Sequence, residues 1–170
     1  MKKTPEQKIK EYFNMDYTQS FSERGRTVPA EDKLEKYYNS KANTKFLRYG
    51  PDHMVAPVQT KFYVKIDPFI RNTPDYIIMN KGAYFLEAKG CHDIAKFKID
   101  DLKSYAKWND IMPLSFFVFS TMYQKIIQFD IGQLRYLIIK KQYETKKYPD
   151  NNKEYYPIPF KDLIPLNKLK

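Results

Sequence analysis

Short apolar runs separated by turn residues dominate the middle of the chain. Two of them, residues 76–79 and 83–86, flank the segment Asn80-Lys81-Gly82. Short β-branched and aromatic runs on either side of an Asn-x-Gly turn predict a β-hairpin. The continuous apolar run over 113–120 predicts a strand that is buried on both faces. The pattern therefore predicts a central sheet with this hairpin inside it.

Helical patterns precede and follow the hairpin. Pro29 at a first-turn position, followed by acidic residues, predicts a helix to about Asn43. An apolar stripe of roughly helical period predicts a second helix over 94–110. Further strands are predicted at 45–49 and from Ile126, the latter followed by a helix from Asp130. Extended chain is predicted at 155–160, because proline is tolerated only at sheet edges. This order predicts an α/β fold with a mixed central sheet flanked by helices.

The domain organisation follows from length and composition. A chain of 170 residues is most simply one domain. We expect residues 1–28 to form a polar N-terminal extension with a short helix at 6–13, and residues 29–170 to form the domain. Its core covers about 30–120, and 121–170 is a basic C-terminal portion. Residues 50–72 form either an extra strand, at 59–66, or a long loop that contains His53.

The net charge of the chain limits the classes of molecule that it is expected to bind. Thirty Lys and Arg residues against 20 Asp and Glu residues give a net charge of +10, which favours polyanions such as nucleic acid. A merely soluble basic protein is the alternative. Cys91 is the single cysteine, so no intrachain disulfide can form. With no apolar signal core and no run of ~20 apolar residues, we expect a cytoplasmic protein without a membrane partner.

Charged residues stand at the two ends of the predicted hairpin strands. Asp75 precedes the first strand, and Glu87-Ala88-Lys89 closes the second. Because side chains alternate along a strand, Glu87 and Lys89 point to the same face, and a hairpin can bring Asp75 beside them. Carboxylates and a backbone carbonyl suit a hard divalent cation. The residues thus predict a small metal site, with an ordinary surface hairpin as the alternative.

Pro74-Asp75 and Glu87-Ala88-Lys89, joined by a hairpin, resemble the PD-(D/E)xK nuclease superfamily. The resemblance covers about 30–120 and implies an αβββαβ, restriction-endonuclease-like core. It implies Asp75, Glu87 and Lys89 as catalytic residues and Mg²⁺, with Mn²⁺ as an alternative, as the cofactor. The implied metal ligands are Asp75, Glu87, the carbonyl of Ala88 and a glutamate of the preceding helix. Glu35 is the choice for that glutamate and Glu31 the reserve; a solvent-facing glutamate is the alternative for each.

Four basic residues are candidates for contacts with nucleic acid. Arg24 and Arg26 lie in a predicted loop of the extension. Lys98 and Lys103 lie on the predicted helix after Glu87-Ala88-Lys89, where related nucleases carry a polar residue toward the phosphate. A solvated basic surface is the alternative for each of the four.

We therefore expect a metal-dependent deoxyribonuclease that hydrolyses phosphodiester bonds. The favoured form is a homodimeric, structure-specific endonuclease similar to a Holliday-junction resolvase. A phage-encoded enzyme acting in the host cytoplasm fits the composition, and an exonuclease or a restriction-type enzyme fits nearly as well. RNA is an alternative substrate. A non-catalytic nucleic-acid-binding module is the second hypothesis, and a protein-interaction factor of unknown partner is the third.

Overall fold

The computed structural model describes residues 30–50 and 66–169. The helices of this part are α1 (Ala30–Asn39), α2 (Pro68–Arg71), α3 (Ile99–Ile111), α4 (Ile131–Lys141) and α5 (Phe160–Leu163), followed by a 3-10 turn (Ile164–Leu166). The strands are β1 (Lys45–Arg48), β2 (Tyr76–Met79), β3 (Ala83–Cys91), β4 (Ile94–Lys98), β5 (Leu114–Ser120), β6 (Lys125–Asp130), β7 (Lys146–Lys147) and β8 (Glu154–Pro159).

The main sheet is mixed and has five strands in the order β1-β2-β3-β5-β6. Strand β3 is central: it pairs with β2 antiparallel and with β5 parallel. The predicted hairpin is confirmed, because β2 and β3 are joined through Asn80-Lys81-Gly82, where Lys81 takes a φ of 51°. The α/β class with a mixed sheet flanked by helices is confirmed. Strand β5 is buried along nearly its whole length, as its apolar run predicts.

Each face of the main sheet covers a separate part of the core. On one face, α1 packs Leu34 and Tyr38 against Tyr76, Leu86 and Phe117. The larger part of the core lies on the other face, under α3, α4 and the second sheet. Its fully buried side chains include the aromatic residues Phe97, Phe116, Phe129 and Phe160. Alternation along β2 and β3 decides which side chains face which part of the core.

The second sheet corrects the prediction of a helix over 94–110. Residues 94–98 form β4, which pairs antiparallel with β8, and only the remainder forms the helix α3. Burial within β4 alternates: Ala95 and Phe97 are buried, whereas Ile94 and Lys96 are exposed. The pairing partner, β8, lies more than fifty residues away in the chain, as the pairing of Ala95 with Ile158 shows. A local pattern cannot reveal such a partner, so the apolar residues were assigned to a helical stripe.

Other boundaries differ less from the prediction. Helix α1 ends at Asn39 rather than at about Asn43. The predicted strand and helix that meet at Asp130 are present as β6 and α4. The C-terminal portion completes the fold, since β6 belongs to the main sheet and Ile158 is fully buried. The predicted helix at 6–13, His53 and all but the last residue of the predicted strand at 59–66 lie outside the described residues. No helix in the described ranges is long and apolar enough to cross a membrane.

Candidate active site

The register of the hairpin brings Asp75 to Glu87. The last residue pair of β2 and β3 is Tyr76 with Leu86, so Asp75 and Glu87 stand at the next position and on the same face. The Asp75 backbone is anchored by the residue after β1, because its carbonyl accepts a hydrogen bond of 2.7 Å from the Tyr49 N–H. Its carboxylate is anchored by β3, because Oδ2 accepts a 2.8 Å hydrogen bond from the Ala88 N–H. Asp75 is therefore held between the strands on either side of it.

The hydrogen bond to Asp75 also fixes where the Ala88 carbonyl points. The N–H and C=O of one residue in a strand lie on the same side of that strand, so this carbonyl points toward Asp75. Continued pairing would place Pro74 opposite Ala88, but proline has no N–H to donate. The ladder ends at Tyr76, and the Ala88 carbonyl faces the space beside the Asp75 carboxylate.

Glu87 is a buried carboxylate whose two oxygens have different surroundings. The residue is 6% exposed and packs on the same face as Phe85 and Phe116. Its Oε1 accepts a hydrogen bond of 3.1 Å from Lys89 Nζ. Its Oε2 is buried and has no hydrogen-bond partner within the described parts of the chain. A buried oxygen of this kind costs about 1–3 kcal/mol or more if it stays unpaired, which indicates a position for a further cation or donor.

Lys89 is held as an ammonium in spite of its burial. Burial by itself would lower the pKa of Lys89, but the negative charges of Glu87, Asp101 and Asp75 outweigh burial and raise the pKa. The ammonium also lies over the ring of Tyr105, with Nζ 5.7 Å from the ring centroid. Lys89 therefore brings a fixed positive charge to the site at neutral pH.

Helix α3 closes the site from the side opposite to the sheet. Burial, the nearby charges of Glu87, Asp101 and Asp75, and a weaker side-chain interaction with Glu87 raise the pKa of the Tyr105 phenol well above its usual value, so the hydroxyl keeps its proton. Asp101 and Tyr105 are one turn apart on α3, and residues with that spacing share a helix face. Sequence reasoning placed Tyr105 only in the apolar stripe and did not single out Asp101. Their i,i+4 spacing on the helix that follows Glu87-Ala88-Lys89 is the signal that was available.

The structure does not bring Glu35 or Glu31 to this grouping, which corrects the expected metal set. Glu35 accepts a 2.8 Å hydrogen bond from the Tyr76 hydroxyl and lies 3.8 Å from Arg48. Glu31 pairs with Arg48. Tyr76 follows Asp75 in the strand, so its side chain points to the opposite face of the sheet, toward α1. The two glutamates serve that face, and Asp101 is the acid on α3 whose charge acts on Lys89.

The predicted nucleic-acid contacts are distributed differently. Arg24 and Arg26 lie outside the described residues. Lys98 is the last residue of β4 and directly precedes α3. Lys103 is on the solvent side of α3, where Nζ lies 3.6 Å from Asp100 in an exposed pair. Lys98 thus directly precedes the helix turn that carries Asp101, whereas Lys103 is paired at the exposed surface of the helix.

The donor set fits a hard divalent cation that keeps several waters. Asp75 and Glu87 supply carboxylate oxygens, the Ala88 carbonyl faces the same space, and Glu87 Oε2 has no other partner in the described ranges. Those ranges contain no cluster of three or more His, Cys, Asp or Glu residues suited to holding a metal. One or two carboxylates completed by water and substrate phosphate is the usual arrangement for Mg²⁺. The fit is therefore to Mg²⁺ rather than to a closed protein cage.

Fold and site together define a class: a mixed α/β sandwich with paired carboxylates and a lysine at the end of a central hairpin. No family model matches the chain, and no curated protein matches it. Among solved structures, the chain is similar to a nuclease from a fusselovirus, with a TM-score of 0.50 and 10% sequence identity. The similarity covers 87% of this chain and 88% of that one. At this identity it is a similarity of fold.

Proposed function

We propose that the protein is a metal-dependent nuclease that hydrolyses phosphodiester bonds in DNA. The observation that carries the proposal is the buried Oε2 of Glu87, which has no partner among the described residues and lies beside the Lys89 ammonium. A carboxylate in this state suits a role as a cation ligand better than a role in packing. The fold similarity to a fusselovirus nuclease supports the same class of activity.

Each residue of the site has a role in this proposal. Asp75, Glu87 and the Ala88 carbonyl would hold Mg²⁺ or Mn²⁺. The chemistry supplied by such an ion is Lewis-acid stabilisation of phosphate charge and a lowered pKa of a coordinated water. Lys89 orients the attacking water and offsets the negative charge that develops on the phosphate. Tyr105 and Asp101 keep the Lys89 side chain in place and charged.

The favoured form of the enzyme is a structure-specific endonuclease, similar in role to a junction resolvase and acting as a homodimer. A symmetric pair of sites makes two cuts on opposite strands in a simple way. The net charge of +10 supports a branched or duplex polyanion as the substrate. The alternatives are an exonuclease, a restriction-type enzyme and an enzyme that acts on RNA. Cleavage mapping distinguishes these activities. A phage origin also fits the proposal.

The test is cleavage of plasmid, four-way junction, flap and single-stranded DNA, together with RNA, in Mg²⁺ or Mn²⁺. We expect cutting that EDTA abolishes, with the junction cut fastest. Asp75→Asn and Glu87→Gln should each lower the rate by at least about a hundredfold, as expected for loss of a group that stabilises transition-state charge. Asp110→Asn, on the exposed end of α3, is the matched control and should cleave normally.

A non-catalytic binding module is the competing function. It is favoured if wild-type protein binds DNA in EDTA but cuts no substrate with either metal. In that outcome Asp75→Asn and Glu87→Gln would leave binding unchanged, and the orphaned Glu87 oxygen would need another cation or donor.

A further inference from the structure

The outer face of the second sheet carries lysines around a pair of tyrosines whose rings pack at a tilt. We define the lysine–tyrosine face as Lys96, Lys98, Lys146, Tyr148 and Tyr155. Lys98 and Lys146 are both direct cross-strand partners of Tyr155, and such partners share a face. Lys96 is two residues before Lys98 and therefore lies on that face as well. Phe97, between them, points to the core and is fully buried.

Aromatic rings hold Lys96 in place although it is exposed. Its Nζ lies 5.2 Å from the Tyr148 ring centroid and 5.3 Å from that of Tyr155. The two rings pack on each other with centroids 4.3 Å apart. Ordering a lysine side chain costs conformational entropy of about 1.5–2 kcal/mol, which the cation–π contacts offset. The result is a pre-ordered positive charge at the surface.

Two lysines of this face, Lys96 and Lys146, have no acidic partner among the described residues. Within the described ranges, no carboxylate lies at ion-pair distance from Lys96 or from Lys146. The neighbouring Lys147 behaves differently: its Nζ lies 3.8 Å from Glu154, and alternation puts it on the other face of β7. One hairpin thus presents an unpaired lysine to the outer face and a paired lysine to the opposite one.

The position of the face relates it to the candidate active site. Lys98 ends β4, and α3, which carries Asp101 and Tyr105, begins at the next residue. Neighbouring strands are about 4.8 Å apart, so the backbones at Lys98 and Lys146 are separated by roughly 10 Å. One DNA strand carries a phosphate about every 3.4 Å along the axis. The face is therefore long enough to meet neighbouring phosphates of one strand.

We propose that the lysine–tyrosine face binds the sugar–phosphate backbone of DNA and leads one strand toward Asp75 and Glu87. The proposal rests on the proposed nuclease function for its substrate. Its evidence is separate from the carboxylates: Lys96 and Lys146 have no acidic partner among the described residues, and aromatic rings order Lys96. Ordered cations backed by aromatic rings match a surface that tracks a nucleic-acid backbone.

The test measures binding of a labelled DNA duplex by fluorescence anisotropy in EDTA, over a series of salt concentrations. The test variant is Lys96→Gln with Lys146→Gln. The control is Lys107→Gln with Lys147→Gln, which removes the same charge from an exposed lysine of α3 and from the paired lysine of β7. We expect the test variant to weaken binding about tenfold or more and to lower the slope of log K against log salt by about two. The control should change affinity less than about twofold, and Lys96→Arg with Lys146→Arg should restore binding.

Three outcomes would overturn the inference: no loss in the test variant, an equal loss in both variants, or binding of anionic vesicles in place of DNA. Equal losses would mean that only total charge matters. Because the assay needs no cleavage, its result is independent of the nuclease test. If the wild-type protein cuts DNA but the test variant binds DNA normally, then this inference is wrong and the nuclease proposal stands. If the wild-type protein never cuts DNA, and binding is lost in the test variant but not in the control, then the nuclease proposal is wrong and this inference stands.

Discussion

At the scale of single residues, the buried ion pair of Glu87 and Lys89 is the strongest indication of a functional site. Both are poorly exposed, with 8% and 17% of their side-chain surfaces accessible. Buried pairs of this kind contribute little net stability, yet removal of one partner is costly because the other charge is left in a low dielectric. Such a pair stabilises the fold only weakly, so its burial fits a role in binding a cation better than a role in stability.

Lys89→Met should therefore destabilise the metal-free protein by about 3 kcal/mol, measured by urea unfolding. The double variant Glu87→Gln with Lys89→Met should recover at least about half of that loss, because neither charge is then left alone. Lys107→Met, at an exposed site of α3, is the control and should stay within about 0.5 kcal/mol of wild type. Equal stability of Lys89→Met and wild type would show that water reaches the Glu87 carboxylate.

Cys91 gives a second prediction at this scale. Burial raises the pKa of its thiol from 9.0 to about 11. As the pH rises through 9.0, the unfolded chain loses the thiol proton while the folded chain keeps it, so the folded state binds more protons and its stability falls. The buried thiol should also react with a disulfide reagent only as fast as the protein opens. Reaction rates of native and urea-unfolded protein compare the two states, and equal rates would contradict the burial.

At the scale of elements, local chemistry explains which parts of the fold could be predicted. The Asn80-Lys81-Gly82 turn predicts the hairpin, and the apolar run of 113–120 predicts β5. Both signals lie within a few residues of the chain. Strand β4 was missed because its partner β8 is remote in the sequence. For the candidate site, alternation along two strands predicts that Asp75, Glu87 and Lys89 share one face, and the structure places them so. The position of Glu35 was not predictable, since it depends on which face of the sheet α1 covers.

Helix α4 begins with a capping box that should contribute measurably to the free energy of unfolding. Asp130 Oδ1 accepts a 2.7 Å hydrogen bond from the Gln133 N–H, and Gln133 Oε1 accepts one of 3.1 Å from the Asp130 N–H. This capping box satisfies donors at the start of the helix. Asp130→Ala should lower the free energy of unfolding by about 1 kcal/mol, measured by urea unfolding, without changing metal binding. Asp110→Ala should change it by less than about 0.5 kcal/mol; equal effects would show that the cap adds nothing.

At the scale of the whole molecule, the two sheets have different proposed roles. The main sheet ends its central hairpin in a carboxylate pair, and the second sheet presents the lysine–tyrosine face next to it. Helix α3 joins them, since it continues directly from β4 and packs Tyr105 against Phe116 of β5, with ring centroids 5.8 Å apart. If DNA is the substrate, as proposed, the net charge of +10 attracts it at long range, and association should slow as salt screens that charge.

The central claim is that Glu87 Oε2 is a ligand for a divalent cation, and direct metal binding tests it most sharply. Titration calorimetry with Mg²⁺ and electron paramagnetic resonance with Mn²⁺ would be run on wild type, Glu87→Gln and Asp110→Asn. Loss of a charged ligand should weaken binding by more than the roughly 10- to 100-fold that loss of a supporting group costs. The account predicts saturable binding by wild type and Asp110→Asn and none by Glu87→Gln at the same concentrations. Equal binding by all three proteins would contradict it.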